Sequence, residues 1–99
     1  VECRATLTRS DGYNILVASD TKASGNHWEL FTMAGNGRLC AYLPGRKPDH
    51  VRSETAICDG NPHAIAMHYE PARVRLYVDG RLVADERQMV VARQLDERR

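Results

Sequence analysis

The sequence predicts an all-β fold, an antiparallel β-sandwich around one small core, and three observations carry that expectation. Short alternating or β-branched apolar runs recur along the chain, with Gly, Pro, Asn and Asp between them. Two dipeptides, Asn36-Gly37 and Asp79-Gly80, are strong signals for tight hairpin turns. The 99 residues suffice for one compact domain and leave no room for a second lobe.

The elements follow in chain order. Val1, Cys3, Ala5 and Leu7 alternate with Glu2, Arg4, Thr6 and Thr8, so the chain is expected to open inside a half-buried strand and to be a processed chain or an excised piece. Asn14 to Ser19 (NILVAS) is a compact strand, followed by the polar loop Asp20 to Asn26. His27 to Met33 (HWELFTM) and Gly37 to Leu43 (GRLCAYL) flank the Asn-Gly turn and should pair. Pro44 to Pro48 reads as a loop, because each proline removes a ladder donor and fixes φ. Asp49 to Ile57 is a strand of mixed polarity, ended by the turn Asp59-Gly60-Asn61-Pro62.

The segment His63 to Asp85 (HAIAMHYEPARVRLYVDGRLVAD) is the clearest. Ile65, Met67 and Tyr69 share one strand face, and Ala64, Ala66 and His68 share the other. After Glu70-Pro71-Ala72, the residues Val74, Leu76 and Val78 face away from Arg73, Arg75 and Tyr77, and Asp79-Gly80 turns the chain into a third strand. Residues 1–85 form the expected sandwich. Residues 86–99 (ERQMVVARQLDERR) lack Gly and Pro and place Met89, Ala92 and Leu95 near helical spacing, which leaves a short helix or tail and a last strand both open.

Composition narrows the function. Hydrophobic residues at 42% and charged residues at 27% fit a globular protein, and the apolar runs are too short to insert in a membrane. Fourteen Lys plus Arg against 13 Asp plus Glu give no field that argues for nucleic acid. Three cysteines allow at most one internal disulfide, with Cys40–Cys58 and Cys3–Cys58 both open, and the absence of a CxxC pair removes support for structural zinc.

From Trp28 onward the chain resembles the concanavalin A-like lectin and glucanase superfamily in its laminin G-like branch. The resemblance rests on Trp28-Glu29-Leu30, Gly37-Arg38-Leu39, Asp59-Gly60-Asn61-Pro62-His63, Ile65-Ala66-Met67 with Tyr69, and above all Val74-Arg75-Leu76-Tyr77-Val78-Asp79-Gly80. Family members usually carry Trp where Pro62 stands. They are longer, with a closing strand of the form IGG and a segment like IDEVRIY, neither of which occurs here. The resemblance therefore implies a jelly-roll sandwich that is truncated or atypically closed, within a larger secreted or surface protein of bacterial type. Exposed edge strands in such a sandwich invite homo-oligomerisation.

Catalysis is not expected. A glycoside hydrolase needs two carboxyl groups across a sugar cleft, and the glucanase branch supplies them from an ExDxxE-like motif. Glu29 and Glu54 each lack an acidic neighbour at that spacing. Cys3 and Cys40 alternate with apolar residues as small hydrophobes, and Cys58 lies at a strand end. His63 and His68 fall on opposite strand faces and cannot share a metal, while His27 and His50 read as solvated loop residues.

The resemblance also implies a rim calcium, which needs several oxygen ligands from loops. Asp59 and Asp79 are explained as turn residues, leaving Asp20 and Asp49 as the candidates. For a glycan, Tyr42 and Tyr77 should point off the core as stacking platforms, with Arg38, Arg73 and Arg75 as hydrogen-bond donors; a solvated outer face explains the same residues. The expected function is a non-catalytic module binding carbohydrate or protein outside the cytoplasm. A structural spacer or self-association domain is the alternative, and a glycoside hydrolase-like enzyme the remote one.

Overall fold

The computed structural model describes residues 1–19, 28–70 and 72–90. The described residues form ten strands: β1 (Glu2–Thr6), β2 (Asn14–Ser19), β3 (Trp28–Thr32), β4 (Arg38–Tyr42), β5 (Arg46–Lys47), β6 (His50–Ala56), β7 (Pro62–Glu70), β8 (Arg73–Val78), β9 (Arg81–Arg87) and β10 (Met89–Val90). Two antiparallel four-stranded sheets result, β1-β7-β8-β9 and β2-β3-β4-β6, with β5 and β10 as a two-stranded ribbon. The architecture is an all-β sandwich, and no described residue is helical.

Alternation writes the core. Ile65 and Met67 from β7 and Val74, Leu76 and Val78 from β8 meet Leu30, Leu39, Ala41 and Val51 from the other sheet. Each large apolar side chain buried this way contributes about 1.5–3 kcal/mol. Trp28, Leu16, Val17, Cys3 and Ala5 pack against this cluster from its rim. Tyr69 departs from the expected pattern: it lies beyond the end of the core, 51% exposed, with the Arg46 guanidinium 4.3 Å over its ring.

The two hairpins turn where glycine permits. Met33 and Arg38 close the β3–β4 turn, the Met33 N–H donating to the Arg38 carbonyl at 2.9 Å, while Gly37 takes φ +69°. A Cβ there would stand 3.0 Å from the Cys58 sulfur, so both conformation and space favour glycine at this position. At the β8–β9 turn both Asp79 (φ 51°) and Gly80 (φ 81°) are left-handed, as a twisted two-residue hairpin requires.

The C-terminal segment differs from a helix or tail wherever it is described. β9 continues through Arg87, with Glu86 opposite Val74 and Arg87 opposite Arg73, and Met89–Val90 pairs with Arg46–Lys47. Ladder partners on β8 and β5 outweigh the approximate helical spacing, which a short unpaired helix could not have exploited. Residues 91–99 lie outside the described residues. The Pro44 to Pro48 loop correspondingly contains the short strand β5, and Gln88 Nε2 donates to the Pro48 carbonyl at 2.7 Å.

Candidate functional site

The outer face of the β1-β7-β8-β9 sheet is built in rows. Glu2 lies opposite Ala66, which lies opposite Tyr77, which lies opposite Leu82; the next row runs from His68 through Arg75 to Asp85. Ala64 and Ala66 project only a methyl group from the middle strand, whereas their neighbours are long. The result is a trough of about 500 Å³ with an alanine floor. Glu2 and Arg4 of β1 form one wall and Tyr77 of β8 the other, with His68 further along the floor strand and Gly80 also in the lining. The Tyr77 and His68 rings stand 4.8 Å apart, tilted by 55°.

This volume suits a small ligand or one to two sugar rings. An aromatic face can stack on sugar C–H groups, and a carboxylate beside a guanidinium can accept from and donate to hydroxyls. Among the described residues neither Glu2 nor Arg4 has a side-chain hydrogen bond or ion pair, and Arg4 acts at longer range on the Asp79 carboxylate.

The expected site residues divide between two faces. Tyr77, Arg73 and Arg75 lie together on β8, but Tyr42 and Arg38 lie on the outer face of the opposite sheet, across the core. They form no single site. The arginines are moreover engaged: Arg73 grips Asp85 with two bonds of 2.7 and 3.0 Å, and Arg75 reaches Glu70 at 3.2 Å and Asp85 at 3.5 Å. The Arg73 bond, foremost, holds the Asp85 carboxyl below its ordinary range. Arg38 pairs with Glu54 at 3.4 Å, and Tyr42 stacks on His50 at 4.8 Å.

A cluster that the sequence reading missed ties two turns together beside the trough. The His63 ring contacts Asp79 Oδ2 through Nδ1 at 2.7 Å and Asp59 Oδ1 through Nε2 at 2.9 Å. Asp79 Oδ1 also accepts the Ala64 N–H at 2.9 Å, and Asp59 Oδ1 accepts the Asn61 N–H at 3.0 Å. A neutral imidazole has one N–H, so two carboxylates on its two nitrogens require the imidazolium. The Asp79 bond first and the Asp59 bond second raise the His63 pKa above its ordinary value. Both carboxyls are lowered in turn, each chiefly by the backbone N–H it accepts. The pairing of Asp59 with His63, four residues on, was visible in the sequence, but Asp79 joins because the β7–β8 ladder carries the end of β8 back beside Ala64.

The three cysteines are free thiols, and burial pushes the Cys40 thiol up to about 11, which disfavours a thiolate nucleophile there. Of the two calcium candidates only Asp49 lies among the described residues. Asp49 contacts His50 Nδ1 at 3.0 Å, and among the described residues no group of three or more His, Cys, Asp or Glu side chains is arranged to hold a metal ion. Asp20 and His27 lie outside the described residues. Comparison of the chain with protein-family models, with curated proteins and with solved structures finds no match.

Proposed function

We propose that this domain is a non-catalytic binding module, a jelly-roll sandwich of the laminin G-like, concanavalin A-like kind. It serves in a larger secreted or surface protein and holds a carbohydrate on the outer face of the β1-β7-β8-β9 sheet. The trough over Ala64 and Ala66 carries this reading, because it sets the Tyr77 ring, with His68 beside it, across from the Glu2 carboxylate and the Arg4 guanidinium. Among the described residues Glu2 is the single carboxylate in its lining, whereas glycoside hydrolysis by paired carboxyls needs two. The rigid sheet positions the walls, so binding costs little ordering of the backbone.

Amide and imidazole NMR shifts during titration with a panel of neutral and uronic-acid oligosaccharides test the reading. The expected result is saturable shifts confined to Glu2, Arg4, Ala64, Ala66, His68 and Tyr77, weakened at least tenfold in Tyr77→Ala. Titration to millimolar ligand with no shift in these residues overturns it.

A further inference from the structure

We propose that β1 is a self-pairing edge: two copies of this chain join antiparallel about Cys3, each Glu2 facing the second copy's Arg4, to make one eight-stranded sheet.

The four edge strands of the sandwich are β1, β9, β2 and β6. Three of them pair with their inner neighbour through a ladder broken by a register shift, at Ile15/Val17 for β2, at Arg38/Cys40 for β6 and at Leu76/Tyr77 for β9. Such irregularities twist an edge and blunt it against addition of another strand. The β1–β7 ladder alone is regular from Glu2 to Thr6. Among the described residues no strand is hydrogen-bonded to the other side of β1, although β2 of the facing sheet passes near it.

Main-chain polarity then limits how a second strand can add. Val1 and Met67 exchange both backbone bonds, at 2.8 and 3.1 Å. By alternation Val1, Cys3 and Ala5 direct their N–H and C=O groups to β7, whereas Glu2, Arg4 and Thr6 direct theirs to the open edge. Outward groups must meet outward groups, so the two-fold axis has to pass through a residue and not between two.

Charge selects the residue. An axis at Glu2 or Arg4 sets that side chain opposite its own copy, like charge on like. An axis at Ala5 sets Arg4 opposite Thr6 and pairs no charges. Only the axis at Cys3 places both Glu2 side chains opposite Arg4 side chains. It also gives Glu2 and Arg4 a cross-strand partner, where among the described residues neither has a side-chain hydrogen bond or ion pair and Arg4 acts only at longer range on Asp79, whereas Arg9, Arg38, Arg73 and Arg75 are already ion-paired. The interface is isologous, so both copies use the same surface and the assembly closes at two. The two troughs become neighbours across the new ladder.

Sedimentation velocity of the 99-residue chain over a wide concentration range, with circular dichroism as the control for folding, tests the arrangement. A dimer should form, and Glu2→Arg and Arg4→Glu should each weaken it by about tenfold or more, since each turns two attractive cross-strand pairs repulsive. An equimolar mixture of the two variants should recover the dimer, one chain then carrying only positive and the other only negative charge at the edge. Copper phenanthroline oxidation should couple Cys3 to Cys3, the two thiols losing two protons and two electrons to the oxidant. Facing Cα atoms about 4.5 Å apart in such a pair lie within disulfide range. A monomer at every concentration, a dimer indifferent to either charge reversal, or cross-links mapping away from Cys3 overturns the proposal. None of these readouts involves a sugar, so the outcome is separate from that of the trough titration.

Discussion

On the outer face of the β2-β3-β4-β6 sheet Phe31 is 6% exposed, Cys40 is fully covered and Glu29 is buried, whereas the outer face of β1-β7-β8-β9 keeps Arg73, Arg75 and Tyr77 only half-covered. β3 and β4 are thus buried on both sides. Tyr13 packs on Phe31 with ring centroids 5.8 Å apart, and His50 links Phe31 to Tyr42. One sheet has a second thin apolar layer. The other has an open face of ion pairs and a trough. Stability is therefore distributed over both faces of one sheet, while the other sheet keeps one face open.

The largest expected effects test that asymmetry directly. Leu76→Ala in the common core should cost about 2–5 kcal/mol in urea unfolding. Phe31→Ala should cost a comparable 3–5 kcal/mol or so, although it lies on an outer face. If Phe31→Ala unfolds no more easily than Tyr77→Ala, expected to lose less than about 1 kcal/mol, the second layer contributes nothing and the comparison fails. Gly37→Ala should follow, at about 1–3 kcal/mol, from left-handed strain with a Cβ pressed on Cys58.

Smaller effects sharpen the polar side. The His63 clamp has a raised histidine pKa and two lowered aspartate ones. Its histidine contribution is complete below the ordinary value of 6.5 and lost as pH rises through the raised value. Its aspartate contribution is present above the ordinary 3.8 and lost as pH falls through the lowered values. Thermal unfolding should show a stability plateau between these limits, and His63→Gln should flatten the alkaline decline. A decline unchanged in His63→Gln would place its origin elsewhere. The smallest effect belongs to Asp85→Asn, which removes the carboxylate shared by Arg73 and Arg75; its modest loss of stability should vanish in 1 M or so salt, since these pairs are exposed and screened.

Much of the fold was legible because its signals are local. The alternation in RVRLYV became burial of Val74, Leu76 and Val78 on one side, and Asn36-Gly37 and Asp79-Gly80 became the two hairpins. Burial of Cys40 was not legible as a two-sided effect, since what covers it comes from Phe31 on another strand and from the layer around it. The trough had a signal that passed unread: alanines at the outward positions of β7, where a surface strand ordinarily carries longer side chains. The engagement of Arg73 and Arg75 was hidden for a different reason. Their partners Asp85 and Glu70 sit opposite only once the registers of β7, β8 and β9 are fixed.

By itself the sequence determined the class of structure, the turns and which side chains of each strand face inward, because these depend on neighbours one to four positions away. The tertiary structure decided that Tyr42 and Tyr77 occupy opposite faces, that His63 lies between two aspartates, and that among the described edge strands β1 is the one with an unbroken ladder. Those facts depend on which strands become neighbours, and strand order is set by how two sheets close over a shared core.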